Sequence, residues 1–399
     1  FLRIFLKYYI NFLRDKPIIR SLSLVNFIAS FGAWFSTVAI YTMVVEFGSS
    51  EFAIAIVTAM HFIPAILIAP FSGSLIDRLK IKPLMVTLLF IELSMTACFL
   101  LIETASQIWL LLIFIFIRMS AASMFFSSEM SLLAKIATGK DLQTANEIQS
   151  IIWSFTYAVG MAVSGFIVNL YGVKAAILID VAIFVLAFFV FLNIKINIEY
   201  KKVEEKILEL MIDGLRYIKN NKIILHLIFL HASVGLTSYD ALITILAKNE
   251  YKELIAVPLA IGLSNAVRAV ALMIGPIFLN KIIKKDNLQY LLIFQGITII
   301  IWAFAQSNFY LSLGALFFVG FSTAFLWSYT YALLQNHCDK RYIGRVISYN
   351  DMFFMLANVL TTLFIGTMAH ITTTSIITIC LGVAFLFYAY YYTKIYSKI

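Results

Sequence analysis

Four charged residues stand within or at the end of long apolar segments, where a charge is costly and is therefore a functional candidate. Asp240 lies in one segment, Arg118 and Glu129 share another, and Glu46 ends the first. A carboxyl group in a partly dry site can take up and release a proton near neutral pH. We therefore predict that Asp240 carries a proton, with Glu129, Arg118 and Glu46 as further candidates for proton coupling. A purely interfacial position is the alternative for Glu46.

Two more charges, Arg268 and Asp351, also interrupt apolar segments. We expect each to pair with a polar group, either as a contact that is exchanged during a conformational change or as a static brace. Glu129 and Arg118 share one helix face about three turns apart, which is too far for a direct salt bridge.

Aromatic residues recur at helical spacing in two segments. Such stripes bind flat, greasy or cationic molecules when they line a cavity, whereas elsewhere they pack a core or contact lipid. The candidate cavity residues are Asn26, Phe31, Trp34, Phe35, Tyr239, Phe321, Phe325 and Tyr329.

Signatures of catalysis and of cofactor binding are absent from the sequence. It has no nucleotide-binding loop and no nucleophile constellation, and its five histidines form no pair at helical spacing. The three cysteines are scattered. We expect a protein that is not an enzyme, without a cofactor, a metal site or a disulfide.

The segments that must position these residues are twelve long apolar runs, in a chain that is 62% hydrophobic and 13% charged. About 20 apolar residues span the hydrocarbon core of a bilayer as a helix. The sequence therefore predicts an all-α membrane protein with twelve transmembrane helices. These spans are residues 21–47, 50–76, 83–103, 106–134, 142–171, 173–194, 223–247, 255–280, 288–306, 308–335, 343–370 and 373–393.

The distribution of Lys and Arg predicts the orientation of these spans. An even number of spans places both chain ends on one side, and most of the 30 basic residues flank the spans on that side. Only Lys174, Lys248 and Lys252 fall on the other side. The positive-inside rule therefore places both termini in the cytoplasm. The net charge of +9 then faces anionic lipid head groups, and nothing points to nucleic acid.

The polar stretch 195–222 divides the chain into two sets of six spans. We predict an N-terminal six-helix bundle at 1–194, a cytoplasmic linker at 195–222 and a C-terminal six-helix bundle at 223–399. Apolar residues recur at helical spacing within the linker, which predicts an amphipathic helix lying at the membrane surface. These residues are Val203, Ile207, Leu210, Met211 and Ile218.

The two halves carry weak sequence echoes of each other. Residues 73–82 after the second span resemble residues 276–285 after the eighth, and residues 140–146 before the fifth span resemble 340–345 before the eleventh. Two halves related by an axis along the membrane normal are a common transporter plan, with the substrate site between them near the bilayer midplane.

Residues 73–82 also resemble a signature of the major facilitator superfamily, G-x-L-x-D-R-x-G-R-K. Gly73, Leu75, Asp77, Arg78 and Lys82 match it, while Lys80 and Ile81 replace a Gly and an Arg. The resemblance extends over essentially the whole chain and implies the fold of two six-helix bundles.

Shorter segments look like the branch that contains macrolide efflux proteins and the enterobactin exporter. These are 26–32, 62–65, 144–146 and 344–346, and the lysophospholipid transporter is similar around 129–165. In span five, Gly160 and Gly165 keep two glycines of the antiporter pattern G-x-x-x-G-P-x-x-G-G without its proline; close helix packing is the alternative role.

The resemblance implies roles for several residues. An acid at Asp77 would dock on the N-terminus of span eleven and hold the cytoplasmic side shut. The gate set is Gly73, Asp77, Arg78, Arg341, Arg345, Asp351 and Arg268. In this fold spans one, four, seven and ten line the cavity, so Arg118 and Glu129 would face water and substrate. Spans three and six lie outside, so Glu92 and Asp180 would be bundle-facing, hydrogen-bonded groups.

The resemblance implies a multi-pass transporter of a bacterial cytoplasmic membrane, surrounded by lipid and monomeric. We expect proton-coupled export of an amphiphilic or hydrophobic small molecule by alternating access. A transporter of lysophospholipid, siderophore or divalent metal is the nearest alternative. A non-transporting receptor or scaffold is the alternative from another class.

Overall fold

The computed structural model describes residues 2–196, 207–280, 282–339 and 341–396. Within these ranges the chain is helical, with short connections and no strand. The helices are α1 Leu2–Asp15, α2 Pro17–Glu46, α3 Glu51–Ala59, α4 Ile63–Arg78, α5 Ile81–Cys98, α6 Ile108–Ile136, α7 Gly139–Leu192, α8 Ile207–Asn220, α9 Lys222–Ala232, α10 Asp240–Leu246, α11 Val257–Leu279, α12 Leu288–Ala305, α13 Phe309–His337, α14 Ile343–Met368 and α15 Thr374–Ile395.

Twelve transmembrane helices are confirmed. Among the described residues, 11 helical stretches are long and apolar enough to cross a membrane. One of them, α7, has 54 residues and bends at Gly172, whose φ of 81° departs from the helix. At roughly 80 Å it is more than twice as long as the hydrocarbon core is thick, so it supplies both span five and span six.

Two spans that the sequence predicts as continuous are interrupted. Span two consists of α3 and α4. Pro64 lies in the first turn of α4, a position that proline tolerates, whereas in a continuous helix its ring would clash with the preceding turn. Span seven consists of α9, a 3-10 turn at Ser233–Thr237, α10 and a π-helical turn at Ala247–Tyr251. Gly235 packs against span eleven, where an added Cβ would lie 2.9 Å from the backbone nitrogen of Asn358.

Residues 207–220 form helix α8, which packs against the start of span eleven. In α8 the ring of Tyr217 stacks on Tyr342 with centroids 4.2 Å apart, and Asp213 pairs with Arg345 at 2.6 Å. Ile218 is buried and Met211 is partly buried, whereas Val203 lies outside the described residues. The linker helix is therefore attached to the C-terminal half.

The spans place the loops on two opposite faces of the molecule. The terminal face carries α1, α8 and the loops at residues 79–80, 137–138, 282–287, 338–339 and 341–342. The distal face carries the loops at residues 47–50, 102–107, 252–256 and 369–373. The two halves approach closely at Gly165 of span five and Gly262 of span eight, where a Cβ on Gly262 would lie 2.6 Å from the carbonyl oxygen of Met161. These glycines allow close packing between the halves.

Candidate functional site

The distal face is closed by charged residues from both halves. Lys248 of span seven lies 2.9 Å from a carboxylate oxygen of Glu51, the first residue of span two, and also donates to the carbonyl of Ser49 at 2.8 Å. His370, at the end of span eleven, lies 3.6 Å from the other Glu51 oxygen. Just inside this distal latch, Gly366 packs against Ala55 so closely that a Cβ there would collide. The latch therefore joins both halves over a tightly packed layer.

A second ion pair lies nearer the middle of the spans. Asp240 of span seven and Arg268 of span eight are 3.7 Å apart, and their side chains are 19% and 11% exposed. The Arg268 guanidinium also lies over the ring of Tyr239 at 5.3 Å. Its second amino group donates to the carbonyl of Thr237 at 2.8 Å. That carbonyl ends the 3-10 turn of span seven, so the interruption in the helix provides the acceptor.

The N-terminal half reaches this ion pair through Tyr157 of span five. The Tyr157 hydroxyl donates to the side-chain oxygen of Asn265 at 3.1 Å and accepts from Arg268 at 3.4 Å. Asp240, Arg268, Tyr157 and Asn265 thus form one buried network, which we call the interface network. Because Tyr157 belongs to one half and the other three to the opposite half, the network must rearrange if the halves move apart at this level.

Arg118 and Asp180 form a different kind of pair, inside the N-terminal half. Arg118 of span four lies 3.1 Å from Asp180 of span six, and their side chains are 6% and 0% exposed. Ser36 donates to the same Asp180 oxygen. The prediction that Arg118 faces water is wrong for this conformation, because the guanidinium lies between the rings of Phe99 and Phe184. Helix packing places it towards the bundle interior.

Glu129 occupies a third buried polar site, nearer the terminal face. Its two carboxylate oxygens accept from the amides of Asn26, at 3.1 Å, and Gln149, at 2.8 Å. Asn26 also donates to Gln149 and accepts from Ser30 at 2.7 Å. Glu129 is 2% exposed. Among the described residues it has neutral hydrogen-bond donors and no cationic partner, which distinguishes it from the two paired carboxylates.

Aromatic rings extend from this site along spans one and five. Phe27 stacks on Phe31 and on Phe155, and Trp34 lies against Tyr157 with centroids 4.5 Å apart. Phe155 and Trp153 are about half exposed. The stripe predicted in span one is therefore continued by span five. Other predicted cavity residues are covered by protein: Phe35, Tyr239 and Phe325 are buried, and Phe321 and Tyr329 are partly buried.

The remaining predicted gate residues lie apart from one another. Arg345 is engaged by Asp213, and Arg341 is exposed, with its guanidinium 5.7 Å from the Tyr342 ring. Among the described residues, Asp351 accepts one hydrogen bond, a long one of 3.4 Å from the neighbouring Asn350. Glu46 is exposed at the end of span one. Gly73, Asp77 and Arg78 lie in a helix whose side chains there fall outside the described residues, so their docking on span eleven stays a prediction.

The two faces differ in how the halves meet. Hydrogen bonds and ion pairs between halves, where both partners are described, occur at the distal latch and at the interface network. At the terminal face, an open cavity of about 850 Å³ lies between the ends of spans five and eight. Among the described residues, the polar contacts between the halves therefore lie at the distal side and at the interface network, while spans five and eight are separated by a cavity at the terminal side.

Sequence reasoning missed the latch and the partners of the singled-out charges. Lys248 could have been identified from the sequence, because it is one of three basic residues predicted on the distal side. Glu51 could have been noticed because it follows Ser50, which caps the N-terminus of a helix. No feature of the sequence distinguishes Tyr157 and Gln149 from the other polar residues within the spans. Asp180 was noticed as a buried charge, but nothing in its spacing connects it with Arg118.

Comparison with known proteins identifies the family. The sequence profile of the Major Facilitator Superfamily matches residues 22–362. The structure is similar to that of the nucleoside transporter NupG, with a TM-score of 0.75, 12% identity, and coverage of 95% of this chain and 99% of that one. It is also similar to a D-xylose-proton symporter, with a TM-score of 0.72, 14% identity, and coverage of 93% and 97%.

A third similar structure is a bacterial homologue of the human lysosomal transporter Spinster, with a TM-score of 0.69, 13% identity and coverage of 95% of each chain. At these identities the likeness establishes the fold. Curated protein sequences give no significant match, so the macrolide efflux and enterobactin branch stays a prediction. The profile covers most of the chain and the fold is that of membrane transporters, not enzymes; the chain belongs to the Major Facilitator Superfamily.

Proposed function

We propose that this protein exports an amphiphilic or hydrophobic small molecule from a bacterial cell in exchange for protons, by alternating access. In this proposal the terminal face is cytoplasmic, and the structure corresponds to the inward-facing conformation. The observation that carries the proposal is the position of the interface network. It places a carboxylate, its arginine partner and a residue of the opposite half at the level where the halves meet.

The interface network gives a route from protonation to movement. With Asp240 charged, its attraction for Arg268 holds the guanidinium in place beside Tyr157. A proton bound to Asp240 removes that charge, and Arg268 then loses an electrostatic restraint. A proton taken up from outside therefore allows the outward-facing protein to return without cargo, whereas in the unprotonated protein bound cargo must supply the free energy that breaks the pair. Proton release towards the cytoplasm re-forms the pair, which is the state that this conformation represents.

The Glu129 site and the aromatic stripe support an amphiphilic cargo. Glu129 is a buried carboxylate with neutral partners only, among the described residues, and Phe27, Phe31 and Trp34 lie on the same span as its partner Asn26. Flat or greasy molecules stack on such rings, and a cationic group gains from both the rings and the carboxylate. Glu129 therefore serves cargo binding in this proposal, while Asp240 serves coupling.

Proton flux in reconstituted vesicles tests the function. Vesicles with and without the protein are energised and then challenged with macrolides, lipophilic cations, a catecholate siderophore, lysophospholipid and divalent metals. We expect proton movement on addition of macrolides or lipophilic cations, only in vesicles that contain the protein. A response to one of the other classes would replace the proposed cargo. Binding of a compound without any flux would favour a receptor or scaffold.

A further inference from the structure

We propose that the cavity at the terminal face between spans five and eight binds the cationic head group of an amphiphilic molecule. The cavity has a volume of about 850 Å³, which suits a drug-sized ligand. This inference rests on the proposed export function, because it identifies the bound amphiphile with the cargo.

The cavity lies where two spans separate. Towards the distal face, spans five and eight are in contact at Gly165 and Gly262. A hydrogen bond also joins them there, from Tyr157 to Asn265. At their terminal ends they are joined by no hydrogen bond or ion pair among the described residues. The cavity between those ends has residues of span five on one side and Pro276 and Ile277 of span eight on the other. It is therefore a wedge that opens towards the terminal face.

One wall of the wedge is polar. Gln143, Asn146, Glu147 and Ser150 line it, and their spacing of three or four residues places them on one face of span five. The carboxylate oxygens of Glu147 accept from the Tyr9 hydroxyl at 2.8 Å and from the Gln143 amide at 2.9 Å. Both donors are neutral. Within the described part of the chain, Glu147 forms no ion pair, so its charge is left for a ligand.

Tyr9 of α1 fixes the orientation of this carboxylate. Burial and the hydrogen bond to Glu147 raise the pKa of the Tyr9 hydroxyl to about 12, so it stays a donor at physiological pH. The nearby Lys16 is already paired with Asp141 at 2.5 Å. The pair of Tyr9 and Glu147 therefore presents a ring and a carboxylate together, which is the combination that recognises an alkylammonium group.

Apolar side chains from both spans line the rest of the wedge. Ile277 and Phe278 of span eight are 67% and 59% exposed, and Ile151 of span five is 45% exposed. Ile151 and Ile277 line the cavity together with the polar row. An amphiphile with its head group at Glu147 can therefore keep its alkyl chain against Ile151 and Ile277. The wedge matches a cationic head joined to an apolar tail.

Photolabelling tests the site without requiring transport. The full-length protein in phosphatidylglycerol nanodiscs is labelled with a photoreactive dodecyltrimethylammonium probe, and the labelled peptides are mapped by mass spectrometry. We expect labelling at 139–151 and 276–278. Dodecyltrimethylammonium should compete, whereas dodecyl sulfate and dodecyl maltoside at equal concentration should not. Glu147→Gln should weaken that competition about tenfold, since it removes one unit charge at contact distance.

The matched control is Glu103→Gln, which neutralises an exposed carboxylate on the distal face and should leave the competition unchanged. Equal competition by all three head groups, or competition unaffected by Glu147→Gln, would overturn the proposal. Loss of labelling when phosphatidylethanolamine replaces phosphatidylglycerol would assign the site to a membrane lipid and also overturn it. If vesicles show no export but labelling still depends on Glu147, the export function fails while the binding site stands.

Discussion

The two arginine–carboxylate pairs within the spans differ in their surroundings. Arg118 and Asp180 lie 3.1 Å apart inside the N-terminal half, almost without exposure. Arg268 and Asp240 lie 3.7 Å apart and are more exposed, and Arg268 contacts Tyr157 of the opposite half. All contacts of the Arg118–Asp180 pair lie within one bundle. The Asp240–Arg268 pair also has a partner in the opposite half, which changes position when the halves move.

This difference separates a brace from a switch. Removing one member of a buried ion pair leaves an uncompensated charge, which costs much more than the pair itself contributes. A pair enclosed in one bundle therefore holds its helices together in every conformation. A pair at the interface can exchange its partner when the halves rearrange, so its loss should affect transport more than folding.

The largest effect should follow from breaking the enclosed pair. Arg118→Leu leaves the Asp180 charge buried without its partner and should lower the free energy of unfolding by about 3–5 kcal/mol. Thermal unfolding of the purified protein in detergent measures this loss. The double variant Arg118→Leu with Asp180→Leu should recover most of it. A stable Arg118→Leu protein that lacks only proton coupling would assign the switch to this pair instead.

A smaller effect should follow from loosening the interface network. Tyr157→Phe removes the hydroxyl that bonds Asn265 and Arg268, which costs about 1–2 kcal/mol for two hydrogen bonds. Because those bonds join the halves in this conformation, the population of outward-facing molecules should rise roughly tenfold. Spin-label distances across the distal face measure that population. Unchanged distances, with unfolding also unchanged, would exclude Tyr157 from the network's function.

The smallest effect should come from the distal latch, whose charges are partly exposed. Glu51→Gln weakens the contacts to Lys248 and His370 and should favour opening of the distal face by about 0.5–1 kcal/mol. The same distance measurement should show a shift of a few-fold. High salt should produce part of that shift in the unmutated protein and little further shift in the variant. A shift in the opposite direction would contradict the latch.

Much of the fold could be predicted from the sequence, because a bilayer imposes a strong constraint on helix length and polarity. The boundaries of most spans follow from where apolar runs meet charges. The interruption of span seven could not be predicted, since it depends on Gly235 packing against span eleven and on Arg268 satisfying the carbonyl of Thr237. Both contacts join residues that are distant along the chain.

The charged residues of the site could be predicted from the sequence, but their partners could not. Asp240, Arg268, Arg118 and Glu129 stand out because charges are rare in apolar segments. Their partners depend on the rotation and depth of each helix in the bundle. A rotation of one residue, about 100°, would turn Asp180 away from Arg118. For that reason the hydrophobic pattern of span six contains no information about which charge it meets.

Asp240→Asn tests the central claim most directly, by comparing two modes of transport in the same proteoliposomes. Once the cargo is known, one mode is exchange of labelled for unlabelled cargo at equal pH, and the other is cargo movement driven by a pH gradient. The account predicts that the variant keeps exchange near the level of the unmutated protein and loses gradient-driven movement at least tenfold. Gradient-driven movement equal to that of the unmutated protein would contradict the assignment of the switch to the Asp240–Arg268 pair.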